Sequence, residues 1–132
     1  ILQSQIKSIN QSNKTTISAL HKAKELAIEM HDSLKENDLT KFSDILNRGW
    51  EAKRDYTKGV SNKRIEMVSK KAIEKGAKSL KVTGAGGGGH FFVYADPSKH
   101  SSIIKSLKKL GVNSVDFKYQ NQGAKIFEIN NL

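Results

Sequence analysis

From Leu20 the apolar positions Leu20, Ala23, Ala27, Met30 and Leu34 recur in alternating steps of three and four, which predicts one buried helix face. Asn37 and Asp38 interrupt the repeat and offer side-chain oxygens that can cap a second helix. That helix carries Leu39, Phe42, Ile45, Leu46, Gly49 and Trp50, reaches Tyr56, and stops at Gly59. Ser61 or Asn62 caps a third, with Ile65, Val68, Ala72 and Ile73 facing inward. Gly76 lies just past its end, where the chain commonly turns left-handed. Residues 1–14 are polar, with only Ile6 and Ile9 recurring, and are expected to be a docking or loosely ordered segment.

After Gly76 the pattern changes. Residues 79–82 form a short strand candidate, 84–89 a glycine run, and 91–95 an apolar strand. Asp96-Pro97 combines an N-cap oxygen with proline at the first helical position. The helix it starts presents Ile103, Ile104, Leu107 and Leu110 and is closed by Gly111. Val115, Phe117 and Tyr119 alternate as a strand, Asn121-Gln122-Gly123 turns, and 124–129 returns as its partner. This order predicts an α+β domain with helices packed on one side of a small antiparallel sheet. At 132 residues the chain holds one domain.

Composition narrows the chemistry. Hydrophobic residues are only 36% of the chain, but they are periodic throughout, so it is not a disordered sequence. No apolar run approaches a membrane span, and the start lacks a signal-peptide core. Without cysteine there is no disulfide framework, thiol nucleophile or thiolate metal site, which suits a reducing cytoplasm, the expected location. The four histidines show no paired metal-ligand spacing, and no metal site is expected. Twenty-three Lys and Arg against thirteen Asp and Glu leave a formal charge of +10. That surplus favours anionic partners, unless it is simply a solvated lysine surface. The first residue is Ile1, not Met, so the sequence is expected to be a piece of something larger.

The sharpest chemical signal is Thr83-Gly84-Ala85-Gly86-Gly87-Gly88-Gly89. Glycine in regular structure costs roughly 0.5–1 kcal/mol relative to alanine, so the run implies positive φ angles or close approach of a backbone or phosphate. Consecutive amides in such a loop can form an anion-binding concavity. Gly84, Gly86 and Gly89 formally match GxGxxG, but a strand rather than a helix follows. A Walker A loop needs Gly-Lys-Ser/Thr, and this one ends Gly89-His90. Gly86–Gly89 could mimic the GxxG loop of a KH domain, but that loop joins helices. All three patterns fail on context.

Lys81-Val82-Thr83 together with the glycine run and the aromatic strand after it resembles the third motif of the GHMP small-molecule kinases. His21-Lys22-Ala23-Lys24-Glu25-Leu26-Ala27, Gly49-Trp50-Glu51-Ala52-Lys53-Arg54 and Gly59-Val60-Ser61-Asn62 resemble their sugar-kinase branch. Within it, the chain from about Thr15 onward is similar to the D-glycero-D-manno-heptose 7-phosphate kinases of bacterial surface-glycan synthesis. The resemblance implies a ferredoxin-like carboxy-terminal domain over residues 1–132. The amino-terminal domain of such kinases, with its Pro-x-x-x-Gly-Leu-Gly-Ser-Ser phosphate loop and catalytic aspartate, has no counterpart in this sequence. No catalytic residue is therefore expected here, and this part alone is expected to be inactive.

What the resemblance implies for the site follows from phosphoryl transfer out of ATP with Mg²⁺. Gly84, Gly86, Gly87, Gly88 and Gly89, with the Thr83 hydroxyl, are the expected support for the phosphate loop. Lys53, Arg54 and Lys58 are candidate ligands of a sugar phosphate, since Arg offers a bidentate fork and Lys a mobile point charge. Ser61 and Asn62 are candidate substrate contacts that helix capping explains equally well. The expected partners are ATP, a sugar phosphate and the protein's own amino-terminal domain, without nucleic acid or membrane, and with a homo-oligomer left open. The alternative is a freestanding basic module for RNA or another polyanion with a structural glycine loop. Aromatics at 7% and the lack of an RNP-like motif speak against it.

Overall fold

In a computed structural model, residues 1–124 are described. Five helices and two strands follow in the order α1 (Leu2–Asn10), α2 (Lys14–Lys35), α3 (Leu39–Arg54), α4 (Lys63–Glu74), β1 (Ala77–Val82), β2 (Phe91–Ala95) and α5 (Pro97–Lys108). The caps explain most of these boundaries. Asn13, Asp38 and Asn62 each accept the N–H three residues on, from Thr16, Lys41 and Ile65, at 2.9–3.0 Å. Gly76 and Gly111 follow α4 and α5 with φ of +101° and +70°, the left-handed exits their positions predict.

Several details depart from the periodicity. The helix read from Leu20 begins at Lys14, because Asn13 caps it. The helix read as reaching Tyr56 ends at Arg54, leaving Tyr56 in the turn beyond. Asp96 precedes α5 but makes no cap bond; its carboxylate accepts from Lys78 Nζ at 2.7 Å instead. Ala27, Leu34, Ile73 and Ile104 are exposed rather than inward; α2 buries Thr16, Ala19, Leu26 and Ser33, so its covered face is rotated away from Ala27 and Leu34. Residues 1–14 contain a helix, α1, that buries no residue of its own.

β1 and β2 pair antiparallel, from Ala77↔Ala95 to Val82↔Phe91, with a bulge between Ala77 and Ser79. Alternate residues of a strand point to opposite faces. Leu80 and Ala95 therefore join Val68 and Ala72 of α4 and Ile103 and Leu107 of α5 in the main core. Val82 joins Trp50, Val60 and Ile65 in an adjoining cluster. On the other face Tyr94 meets Phe42 of α3 edge-on, with ring centroids 5.3 Å apart. Helices on a small antiparallel sheet are thus the fold observed: α4 and α5 line one face, and α3 adds contact on the other. α2 packs on α3 through Leu26, Ile45 and Ala52. Arg48 bridges the same two helices, donating to both oxygens of Glu29 at 2.7 and 3.0 Å.

The segment with Val115, Phe117 and Tyr119, read as a third strand, is not a strand here. Its side chains are largely exposed, and it joins neither β1 nor β2 in a ladder. Its alternation finds a partner in rings instead: Phe117 lies edge-on to Phe92 and to Tyr119. The strand expected at 124–129 falls outside the described residues, apart from its first position. Among the described residues no helix is long and apolar enough to cross a membrane.

Candidate functional site

The loop between β1 and β2 leaves the sheet at Thr83. Its N–H donates to the carbonyl of His90 at 2.9 Å, and its hydroxyl to the same oxygen at 3.2 Å. These bonds extend the ladder one step past Val82↔Phe91. The loop that follows needs glycine at particular positions. Gly84, Gly86, Gly87 and Gly89 have positive φ, between +71° and +100°. A Cβ on Gly86 would come within 2.9 Å of the Val60 carbonyl oxygen, whereas one on Gly88 would meet open space.

What the loop rests on is the turn before α4. Gly87 N–H donates to the Val60 carbonyl at 2.8 Å. Asn62, while capping α4, also donates through Nδ2 to the Gly87 carbonyl at 2.9 Å. The start of the loop is held from α3 by Lys53, whose Nζ donates to the carbonyls of Val82, at 3.2 Å, and Gly84. Lys53 is buried, 8% exposed, and burial pushes its ammonium below the usual lysine range, with nearby Lys81 adding to the shift. From α1, Gln5 Nε2 donates to the Ala85 carbonyl at 3.2 Å, and the Ile1 side chain packs against Gly87.

Of the substrate candidates read from the sequence, two reach the glycine loop. Lys53 and Asn62 touch the glycine loop directly. Ser61 and Arg54 form a network beside it: Arg54 Nη2 donates to both oxygens of Glu66 at 2.9 and 3.0 Å, and the Ser61 hydroxyl donates to Glu66 Oε1. The Arg54 guanidinium also lies over the Trp50 ring, 5.2 Å from its centroid. Lys58 is exposed in the turn between α3 and α4. Lys53, expected as a mobile phosphate ligand, has its ammonium turned inward onto backbone carbonyls. The spacing carried that signal: Lys53 stands four residues after Gly49 and three after buried Trp50, on the covered stripe of α3. Nothing in the sequence marks Val60 or Gln5 for this site; Val60 acts through its carbonyl, a group every residue carries.

Among the described residues no group of three or more His, Asp or Glu side chains could hold a metal ion. What the arrangement offers chemically is a hydrogen-bonded, glycine-lined backbone surface on a strongly basic domain.

A family model described as GHMP kinases C terminal matches residues 30–113. The chain belongs to this family. The match runs from the last turns of α2 through α5, so it contains α3, the turn, the glycine loop and both strands. This GHMP domain is 35% identical over 117 residues to D-glycero-alpha-D-manno-heptose 7-phosphate kinase of Campylobacter jejuni, a match covering 89% of this chain and 34% of that protein. It is 36% identical over 77 residues to a galactokinase of Pyrococcus furiosus, covering 58% of this chain and 21% of that one. A crystal structure of a Campylobacter jejuni protein, described provisionally as a sugar kinase, superposes with a TM-score of 0.52 at 40% identity. That superposition covers 69% of this chain and 28% of the other. The GHMP domain therefore spans about a third or less of the length of the relatives it matches.

Proposed function

We propose that this chain is the carboxy-terminal part of an ATP-dependent sugar kinase, completed by an amino-terminal domain outside this sequence. Its acceptor is a sugar phosphate, D-glycero-D-manno-heptose 7-phosphate in the first instance, the substrate class named for the 35% identical relative. The observation that carries the reading is the glycine loop, which is docked on the turn before α4 and leaves Gly88 with open space around it. A loop without side chains lets phosphoryl oxygens approach backbone amides closely.

ATP supplies the γ-phosphoryl group when bound, and Mg²⁺ neutralises charge on its phosphates. The loop suits the phosphates. Residues 84–89 other than Gly87, whose amide Val60 takes, provide amides against developing negative charge, with Thr83 anchoring the base of the loop. Arg54, Lys58, Ser61 and Asn62, along or beside the adjoining turn, are the side chains proposed for the sugar phosphate, with Arg54 pre-set by Glu66. The cytoplasm, where ATP is available, is the proposed location.

The test is ADP release by the complete protein with Mg²⁺ and ATP, using heptose 7-phosphate and galactose as acceptors. Release with heptose 7-phosphate is expected, and none from the 132-residue chain alone. A complete protein inactive on every sugar and sugar phosphate offered would refute the kinase reading.

A second reading, binding of single-stranded RNA, is favoured by one observation. The exposed rings of Phe117 and Tyr119 stack edge-on beside Phe92 on a chain of charge +10. A salt-sensitive gel shift that is lost in Tyr119→Ala would support it.

A further inference from the structure

Three carbonyl oxygens of the glycine loop are engaged by side-chain donors from three different elements. Gly84 accepts from Lys53 of α3, Ala85 from Gln5 of α1, and Gly87 from Asn62 at the cap of α4. Among the described residues, Gly87 supplies the one amide of residues 84–89 that donates within the chain, to Val60. The carbonyls of Gly84, Ala85 and Gly87 are held, and the amides that follow them, of Ala85, Gly86 and Gly88, are left.

Peptide geometry turns that asymmetry into a direction. In a trans peptide unit the C=O and the following N–H point opposite ways, and among the described residues no peptide bond is cis. Holding the Gly84 carbonyl toward α3 therefore aims the Ala85 N–H away from α3. Holding the Gly87 carbonyl toward Asn62 aims the Gly88 N–H away from the cap. Gln5 does the same for the Gly86 N–H, but from α1, which buries no residue of its own. Lys53 is the firmest of the three holds. It is buried, and it joins the end of β1, at Val82, to the first loop residue, so it fixes the loop relative to the sheet. An ammonium group has three donors and no acceptor, and two of those donors meet carbonyls here.

We propose that Lys53 is a positioning residue: by holding the Gly84 carbonyl it turns that peptide unit so that the Ala85 amide, beside the Gly88 amide that Asn62 aims, faces phosphoryl oxygens that Lys53 itself does not touch. This rests on the kinase reading for the identity of the anion, and deepens it by naming the donors and the side chain that aims them. A lysine serves better than a neutral donor because a charged hydrogen bond to a carbonyl is roughly twice as strong. Its positive charge also lies behind the loop, on the side from which it reinforces the amide dipoles.

The experiment is carbonyl-¹³C and amide-¹⁵N NMR of the labelled 132-residue chain, with inorganic tripolyphosphate as the anion. In the unaltered chain the Lys53 Cε resonance is followed through alkaline titration. The Val82 and Gly84 carbonyls and the Ala85 nitrogen are expected to inflect at the same midpoint, while Val68 in the core stays still. Tripolyphosphate is expected to shift the Ala85 and Gly88 nitrogens. Lys53→Met should weaken that binding about tenfold, the effect of losing one charge-assisted hydrogen bond, and Lys53→Arg should recover most of it. Loop resonances that ignore the Lys53 titration, or a tripolyphosphate affinity unchanged in Lys53→Met, would overturn the proposal. If Lys53→Met does not fold, the titration of the unaltered chain decides. The two readings can fail separately. Coupled resonances without phosphoryl transfer by the complete protein defeat the kinase reading alone, and transfer without coupling defeats the role given to Lys53.

Discussion

Gly87 donates its N–H to the carbonyl of Val60 at 2.8 Å, so the glycine loop is stitched to the turn that opens α4. The same carbonyl limits Gly86, where a Cβ would stand 2.9 Å from the oxygen and 3.0 Å from Val60 Cα on a backbone with φ of +100°. Backbone atoms cannot swing aside as a side-chain tip can. Gly88 has neither constraint: its φ is not positive, and nothing lies within 4 Å of its notional Cβ. The glycines thus divide into those the fold needs and at least one it does not.

Gly86→Ala is expected to lower stability by about 2–4 kcal/mol, from backbone strain plus the clash. Gly88→Ala should stay within about 0.5 kcal/mol of the unaltered chain. In the complete protein Gly88→Ala should nevertheless lower kcat/KM, because its methyl occupies the face a phosphate would approach. Urea unfolding and ADP release measure the two effects separately. Equal stabilities for both variants would contradict the division, and unchanged turnover in Gly88→Ala would leave that glycine without a phosphate role.

Asn62 holds two structures with one side chain, accepting from Ile65 N–H at 3.0 Å and donating to the Gly87 carbonyl at 2.9 Å. Asn62→Ala removes both and should cost about 1–2.5 kcal/mol, a cap plus a loop bond. Asn62→Asp keeps the cap oxygen and loses the loop donor. It should recover most of the stability while still weakening tripolyphosphate binding, since a carboxylate cannot donate to Gly87 and repels the anion. Urea denaturation of both variants, with a tripolyphosphate titration, checks this. Equal destabilisation by Ala and Asp would mean that the cap contributes little.

The same residue shows how far the sequence could be read. Asp38, Asn62, Gly76 and Gly111 act at helix ends through local chemistry, so their positions were legible without coordinates. The glycine run and the turn at 59–62 were each visible too. That they touch was not, because the contact joins residues some 25 positions apart through backbone groups that any residue carries. Lys53 reads as a phosphate ligand from its residue type and its place before the turn, although its position on the Gly49 and Trp50 stripe points inward. The alternation of Val115, Phe117 and Tyr119 looked like a strand, but alternation specifies two faces and not a hydrogen-bonded neighbour.

The bond between α2 and α3 makes stability depend on acidity. Glu29 accepts two hydrogen bonds from Arg48, which hold its carboxyl below the usual carboxylate range. The unfolded chain therefore takes up a proton at this site before the folded one does. Stability from the pair is present above the ordinary carboxylate pKa and is lost as pH falls through the lowered value. Glu29→Gln should reduce stability at neutral pH and flatten its decline toward acid. Glu74, lowered by Lys71, acts in the same direction, so some slope should remain. Urea midpoints from neutral pH down to about 3, the acid range over which such linkage acts, measure this. A variant whose midpoint falls as steeply as the unaltered chain's would remove Glu29 from the acid response.

The phosphate role proposed for Arg54 can be tested apart from any recognition of the sugar. Its guanidinium lies over Trp50 and is anchored by Glu66, which the Ser61 hydroxyl also meets. The fork is thereby held in place beside the turn that carries the glycine loop. Because the side chain is partly exposed, the ion pair itself should contribute under about 1 kcal/mol, and Arg54→Ala should fold. In the complete protein it is expected to raise KM for heptose 7-phosphate about tenfold with kcat little changed, the pattern of lost ground-state binding. Any turnover of an unphosphorylated sugar should keep its KM, since it brings no charge for the guanidinium to meet. An equal rise in KM for both acceptors would show that Arg54 shapes the turn through Glu66 and does not bind the phosphate.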